Sequence, residues 1–160
     1  AVLVMQILLG GWTSTNYAAT ACPDFPTCQG SFRPDADYGA GFVLWRGIGP
    51  DYEGGVLPPA ARVAIHWTHR IGAILAGVTL LALGVVAFRR AQSAALKASA
   101  GAVIACVCLQ WAIGMNLIWK GFPLILGTAH NAGAALLLLA TLALLRYLTP
   151  VSASPQLARR

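Results

Sequence analysis

Four long apolar runs in a chain of 160 residues leave few folds open. They cover about 1–15, 61–88, 96–119 and 124–148, and the last three have the roughly 20 residues that a helix needs to cross a hydrocarbon core of about 30 Å. Charged residues make up only 10% of the chain, against about 25% in an ordinary soluble domain, and the mean hydropathy is +0.68. A soluble fold is thereby excluded. The prediction is an all-α polytopic membrane protein, a bundle of four transmembrane helices with residues 16–60 as a long extracytoplasmic loop. The first run lacks a basic n-region and ends in Gly-Gly-Trp rather than a cleavage site, so it reads as a truncated helix and not as a signal peptide. Upstream sequence is therefore expected, with residues 1–160 forming one domain of a longer protein.

The net charge of +6 says more by position than by sum. All five acids (Asp24, Asp35, Asp37, Asp51 and Glu53) fall between the first and second runs. Arg89, Arg90 and Lys97 fall between the second and third, and Arg159 and Arg160 close the chain. Short basic loops mark the cytoplasmic side, so the acidic loop faces out and the basic excess calls for no nucleic acid. The first run then leaves the cytoplasm, the second returns, the third leaves and the fourth returns. Pro58 and Pro59 precede the second run and Pro123 the fourth, where a missing N–H costs little. Trp67, Trp111, Trp119 and Tyr147 lie towards segment ends, the placement of interfacial aromatics. A weak internal repeat pairs Gln6 and Gly10 of the first run with Gln110 and Gly114 of the third, which predicts two helical hairpins of one design.

Histidine inside a bilayer marks a functional hypothesis. His69 lies about eight residues into the second run and His130 about six into the fourth, so at 1.5 Å per residue both fall about 9–12 Å below their outer ends. Two imidazoles at one depth on neighbouring helices can bind one metal from opposite sides. Gly72, Ala73, Ala76 and Gly77 surround the His69 face, and Gly127, Gly133 and Ala134 the His130 face. Strips so free of bulk leave room for a flat macrocycle, and a b-type haem with His69 and His130 as axial ligands is the expected cofactor. Close helix packing is the plainer account of the glycines alone. A zinc ion would want a third or fourth ligand, and only His66 is at hand. His66 stands one turn above His69, where it could meet a propionate, contact substrate or cap the wet end of the pocket. Arg70 and Arg62 are candidate propionate partners, a guanidinium fork being suited to carboxylates, with a snorkelling arginine as the alternative.

Cys22 and Cys28 flank Pro-Asp-Phe-Pro-Thr in the outer loop. Outside the cytoplasm a disulfide is favoured, as a structural staple or with a redox role. The closed loop is short, so its stabilising effect should fall below the usual range of about 2–4 kcal/mol. Cys106 and Cys108, two apart on one helix, point to different helix faces and are read as inert apolar core residues.

Several runs carry a resemblance to a known family. They are Leu-Gly-Gly-Trp-Thr-Ser-Thr-Asn-Tyr-Ala-Ala-Thr-Ala-Cys-Pro-Asp-Phe-Pro-Thr-Cys-Gln-Gly at 9–30, Ile-Gly-Pro-Asp-Tyr-Glu-Gly at 48–54, Ile-His-Trp-Thr-His-Arg-Ile-Gly-Ala at 65–73 and Thr-Ala-His-Asn-Ala-Gly at 128–133. The sequence resembles haem A synthase, and specifically the C-terminal four-helix half of the proteobacterial type, an eight-helix protein built as two related halves. That resemblance implies a bacterial inner-membrane protein with its cysteine loop in the periplasm. It implies a haem b held by His69 and His130, and a Cys22–Cys28 disulfide. The implied reaction oxidises a methyl group of haem O to the formyl group of haem A for cytochrome oxidase assembly. Haem O would reach the protein through its N-terminal half, with haem O synthase as a partner, membrane lipid around the helices and a homo-oligomer conceivable. In relatives the N-terminal half supplies an acidic residue one turn before its own His-Arg histidine, where this sequence has His66; residues 1–160 alone are then not expected to complete the oxidation. A stand-alone bis-histidine b-type cytochrome carrying electrons is the alternative, although such a carrier has no need of the long cysteine-bearing loop. A membrane subunit without cofactor is a third.

Overall fold

The structure, a computed structural model, describes residues 1–47 and 56–149. Every regular element among them is a helix: α1 (Val2–Thr15), α2 (Tyr38–Gly41), α3 (Pro59–Arg90), α4 (Ala94–Trp119) and α5 (Leu124–Leu148). Helices α3, α4 and α5 are long and apolar enough to cross a membrane, and α1 is a shorter apolar helix of 14 residues. This is the polytopic helical bundle that the apolar runs predict. The motif at 48–54, with Asp51 and Glu53, and the terminal Arg159 and Arg160 lie outside the described residues.

The helix ends follow local chemistry. Pro59 stands at the first helical position of α3, where its fixed φ suits the helix and its missing N–H is no loss. Arg89 and Arg90 occupy the last turn of α3, where cations complement the helix dipole. Ser93 caps α4 through its hydroxyl, which accepts from Leu96 N at 3.2 Å. At the other end, Gly121 takes a left-handed φ of +68° that closes the α4–α5 turn.

Helix α1 packs on α3, α3 on α4 and α4 on α5; among the described residues the other long-helix pairs do not pack closely. Neighbours run antiparallel, since Leu3 joins the cluster of Leu80 while Gly10, further along α1, faces His69. One apolar core, built from Leu3, Leu80, Val103, Val107, Leu137 and Leu144, fills the end of the bundle away from the loop. Ile71, Ile74, Leu75 and Val78 of α3 point outwards, as side chains facing lipid do.

Close approach of α3 and α4 depends on two glycines. A Cβ on Gly84 would stand 2.8 Å from Ile104 Cγ1, and a Cβ on Gly77 would overlap the Trp111 indole. Trp111 Nε1 also donates to Ala73 O at 3.1 Å. Trp111 is thus not the interfacial residue that its sequence position suggests; about two turns inside the end of α4, it fills a gap that glycine leaves. Cys108 departs from expectation too. It is exposed on the outside of α4 and Cys106 is half-buried, because residues two apart on a helix face nearly opposite ways.

The outer segment is tied down at several points. Asp37 caps α2 by accepting from Ala40 N at 2.9 Å, and its own N–H donates to Ala60 O at 3.0 Å. Trp12 Nε1 donates to Gly41 O at 3.0 Å, fixing α2 to the end of α1. Ala18, Leu57, Ala61 and Ile65 form a second small core beneath it.

Candidate functional site

At the loop end of the bundle, the sequence repeat becomes a geometric one. Gln6 and Gly10 on α1 face His69 and Gly72 on α3, and Gln110 and Gly114 on α4 face His130 and Gly133 on α5. A Cβ on Gly10 would stand 3.3 Å from His69 Cε1, and one on Gly114 would stand 3.2 Å from His130 Cε1. Each imidazole therefore lays its Cε1–Nδ1 edge against a glycine of the neighbouring helix. One turn away, Gln6 Nε2 donates to His69 O at 3.0 Å, and Gln110 Nε2 donates to His130 O at 2.9 Å. The two amides sit over Gly72 and Gly133, where any Cβ would collide with their oxygens. Gly72, Gly77 and Gly133 thus make room for protein side chains and not, as their sequence strips suggest, for a macrocycle.

His69 on α3 and His130 on α5 both lie at the loop end of the bundle. Their Nδ1 edges are the held edges. Nε2 of each ring makes no hydrogen bond among the described residues and is not among the enclosed unpartnered atoms. A pair of imidazoles whose Nε2 atoms are not engaged is a donor set that suits a haem iron, whose remaining ligands come from the porphyrin. Among the described residues there is no cluster of three or more His, Cys, Asp or Glu that could cage a bare ion. The residues fit a haem better than a zinc ion.

Depth is where expectation and structure part. Because α3 starts at Pro59, His69 lies about 15 Å along its helix, while His130 lies about 9 Å along α5. The extra first turn of α3 serves the loop, through the Ala60 carbonyl and the Ala61 methyl. What matches the two histidines is the glutamine–glycine frame rather than distance from a helix end.

His66 and Arg70 belong to the loop above. The Cys22–Cys28 disulfide is formed, both cysteines fully buried against Val63. Arg70 is 8% exposed and reaches up into this loop. Its Nη1 donates to Asp24 O and Thr27 O, each at 2.7 Å, and its Nη2 donates to Cys22 O at 2.6 Å. Its Nε donates to His66 Nε2 at 3.2 Å, and Phe25 lies 5.9 Å from its guanidinium carbon. Four of the guanidinium's five N–H groups lie in these bonds, so its main partners are loop carbonyls rather than the propionates expected from sequence. His66 is 4% exposed, its ring edge-on to Phe122 at 6.3 Å, and Phe25 meets Trp119 edge-on at 6.2 Å. Phe122 holds this position with a left-handed φ of +62°, a conformation that costs a non-glycine residue about 1–2 kcal/mol.

The loop has its own anion. The Asp24 carboxylate accepts from the Thr27 hydroxyl, from Gln29 N at 2.6 Å and from Gly30 N at 3.0 Å. The Thr27 hydrogen bond, followed by the Gly30 amide, holds its pKa at about 2, below the ordinary 3.8.

Fold and site together define a class: a polytopic helical membrane protein with twinned histidines under a disulfide-closed outer loop. The chain belongs to the COX15-CtaA family, described as cytochrome oxidase assembly protein, whose family model matches residues 1–142. It is 42% identical over 146 residues to a protein of Shewanella oneidensis named heme A synthase, a match covering 91% of this chain and 43% of that protein. Proteins of the same name from Caulobacter sp. strain K31 and Caulobacter vibrioides are 34% and 37% identical over 134 residues, covering 83% of this chain and 36% of each. The chain thus spans less than half the length of the curated relatives it matches. No solved structure matches it at a significant level.

Proposed function

We propose that this chain is the haem b-binding half of a haem A synthase, the C-terminal four-helix domain of a longer eight-helix enzyme of the bacterial inner membrane. One observation carries the reading: two histidines sit in matching glutamine–glycine frames with their Nε2 atoms open. His69 and His130 would hold the haem iron, and Gly10 and Gly114 would let the Cε1–Nδ1 edge of each ring rest against its neighbouring helix. When bound, the haem would supply one-electron redox chemistry at its iron. The protein's own residues do the rest. Arg70 holds the disulfide loop, expected on the periplasmic side, over the site, and Phe25 of that loop meets Trp119 at the end of α4.

In the full-length protein, this domain would exchange electrons with the half that binds haem O, whose methyl group is oxidised to the formyl group of haem A. Haem O synthase would be the upstream partner supplying that substrate. The built loop, with its buried disulfide and arginine clamp, favours this reading over a plain electron carrier. A reduced-minus-oxidised spectrum of the purified protein tests it. Low-spin b-type bands are expected from the wild type and their loss from His69→Ala and from His130→Ala; bands that persist in both variants would sink the assignment.

A further inference from the structure

The enclosed polar atoms left without a partner among the described residues are Gln6 Oε1, Gln110 Oε1, His130 Nδ1 and His66 Nδ1. Three of these four belong to the glutamine–histidine pairs. A buried polar atom without a partner is uncommon and calls for a cause. Gln6 Nε2 lies 3.0 Å from His69 Nδ1, so Nδ1 in that arrangement is the accepting nitrogen and the ring proton sits on Nε2. That is the wrong tautomer for a ligand. A histidine bound to iron through Nε2 carries its proton on Nδ1 and donates it to an acceptor.

The missing acceptor is already in place. The terminal torsion of a glutamine is broad and nearly two-fold, so its amide can turn over at little cost. Turning Gln6 would put Oε1 where Nε2 now meets His69 Nδ1. The His69 carbonyl would lose the amide but keep its ordinary helical partner. In the second frame, Gln110 Oε1 and His130 Nδ1 are both unpartnered while Gln110 Nε2 donates to His130 O, so the same turn would bring an acceptor towards a ring nitrogen that lacks one.

We propose that Gln6 and Gln110 are positioning residues whose amides turn with the histidine tautomer. Each donates to the histidine carbonyl while Nε2 holds the proton, and accepts from Nδ1–H once Nε2 is given to iron. Ring orientation and ligand basicity are set by this contact. The inference rests on the proposal that His69 and His130 bind haem.

The test is a redox titration of the purified holoprotein, with haem content measured separately. Gln6→Leu and Gln110→Leu remove the acceptor, so ligand basicity falls and ferric haem is held less well relative to ferrous. The midpoint potential should rise, a tenfold change in that ratio being about 59 mV for one electron. Gln6→Glu and Gln110→Glu supply a stronger acceptor and should shift the potential the other way, with a matching change in the low-spin EPR spectrum. A purely structural role would lower haem content without opposite shifts from leucine and glutamate. If the leucine variants retain haem with wild-type potential and EPR spectrum, the inference is overturned. A wild-type protein that binds no haem would instead overturn the functional proposal beneath it.

Discussion

The two histidine frames are alike where they face the bundle and unlike where they face the loop. Around His69 and His130, the glutamine, the glycine opposite the ring and the glycine beneath the amide all recur. Above them the likeness stops: His66 and Arg70 in one frame correspond to Gly127 and Asn131 in the other. Arg70 is buried and spends four N–H groups on the loop and His66, whereas Asn131 is exposed. The shared parts are those that bear on ring placement. The unshared parts are those that fasten the outer loop, which is connected to one hairpin only.

Several changes would break or sharpen this contrast. The largest effect is expected from the shared histidines: His69→Ala and His130→Ala should each abolish bis-histidine haem absorption, and equal loss from both would mark the frames as equivalent. The unshared positions should differ widely. Arg70→Ala leaves three loop carbonyls without their charged donor and should cost on the order of 3 kcal/mol, while Asn131→Ala should stay within about 0.5 kcal/mol. Thermal unfolding in detergent, followed by limited proteolysis of the loop, would compare them; similar costs would remove the division of labour. Gly10→Ala and Gly114→Ala should change stability by about 1 kcal/mol or less. Each added methyl pushes on an imidazole, so a shift in the low-spin EPR signal is expected from both.

The smallest effect concerns Asp24. Its folded pKa of about 2 lies below the ordinary 3.8, so its contribution to loop stability is complete above about pH 4 and is lost as pH falls through 2. Hydrogen exchange at the Gln29 and Gly30 amides, corrected for intrinsic rate, should stay slow from pH 7 to 4 and quicken below 3. An Asp24→Asn variant should not show that acid step.

Much of this was legible in the chain. Apolar runs of bilayer length located α3, α4 and α5 to within a few residues, because lipid imposes a length on a helix that is visible without knowing its neighbours. His69 and His130 stood out because an imidazole in such a run is costly, and Gln6, Gly10, Gln110 and Gly114 showed as a repeat. What those four residues touch did not show, since facing partners on different helices depend on crossing geometry. Trp111 was misread for the same reason: an aromatic some way from mid-segment looks interfacial until the glycine opposite it is known. The sequence points Arg70 at the site below it, whereas its hydrogen bonds go to the loop above, a choice of direction that only the fold of residues 22–28 decides. Phe122 gave no signal at all.

Gln110 and Trp111 are consecutive on α4, yet one grips the His130 carbonyl of α5 and the other the Ala73 carbonyl of α3, one turn beyond His69. A single peptide unit therefore acts as a gauge block between the two histidine-bearing helices. Their separation is thereby fixed through α4. A substitution at either residue is then expected to alter that separation, which makes this one stretch of α4 a common control on both histidine-bearing helices.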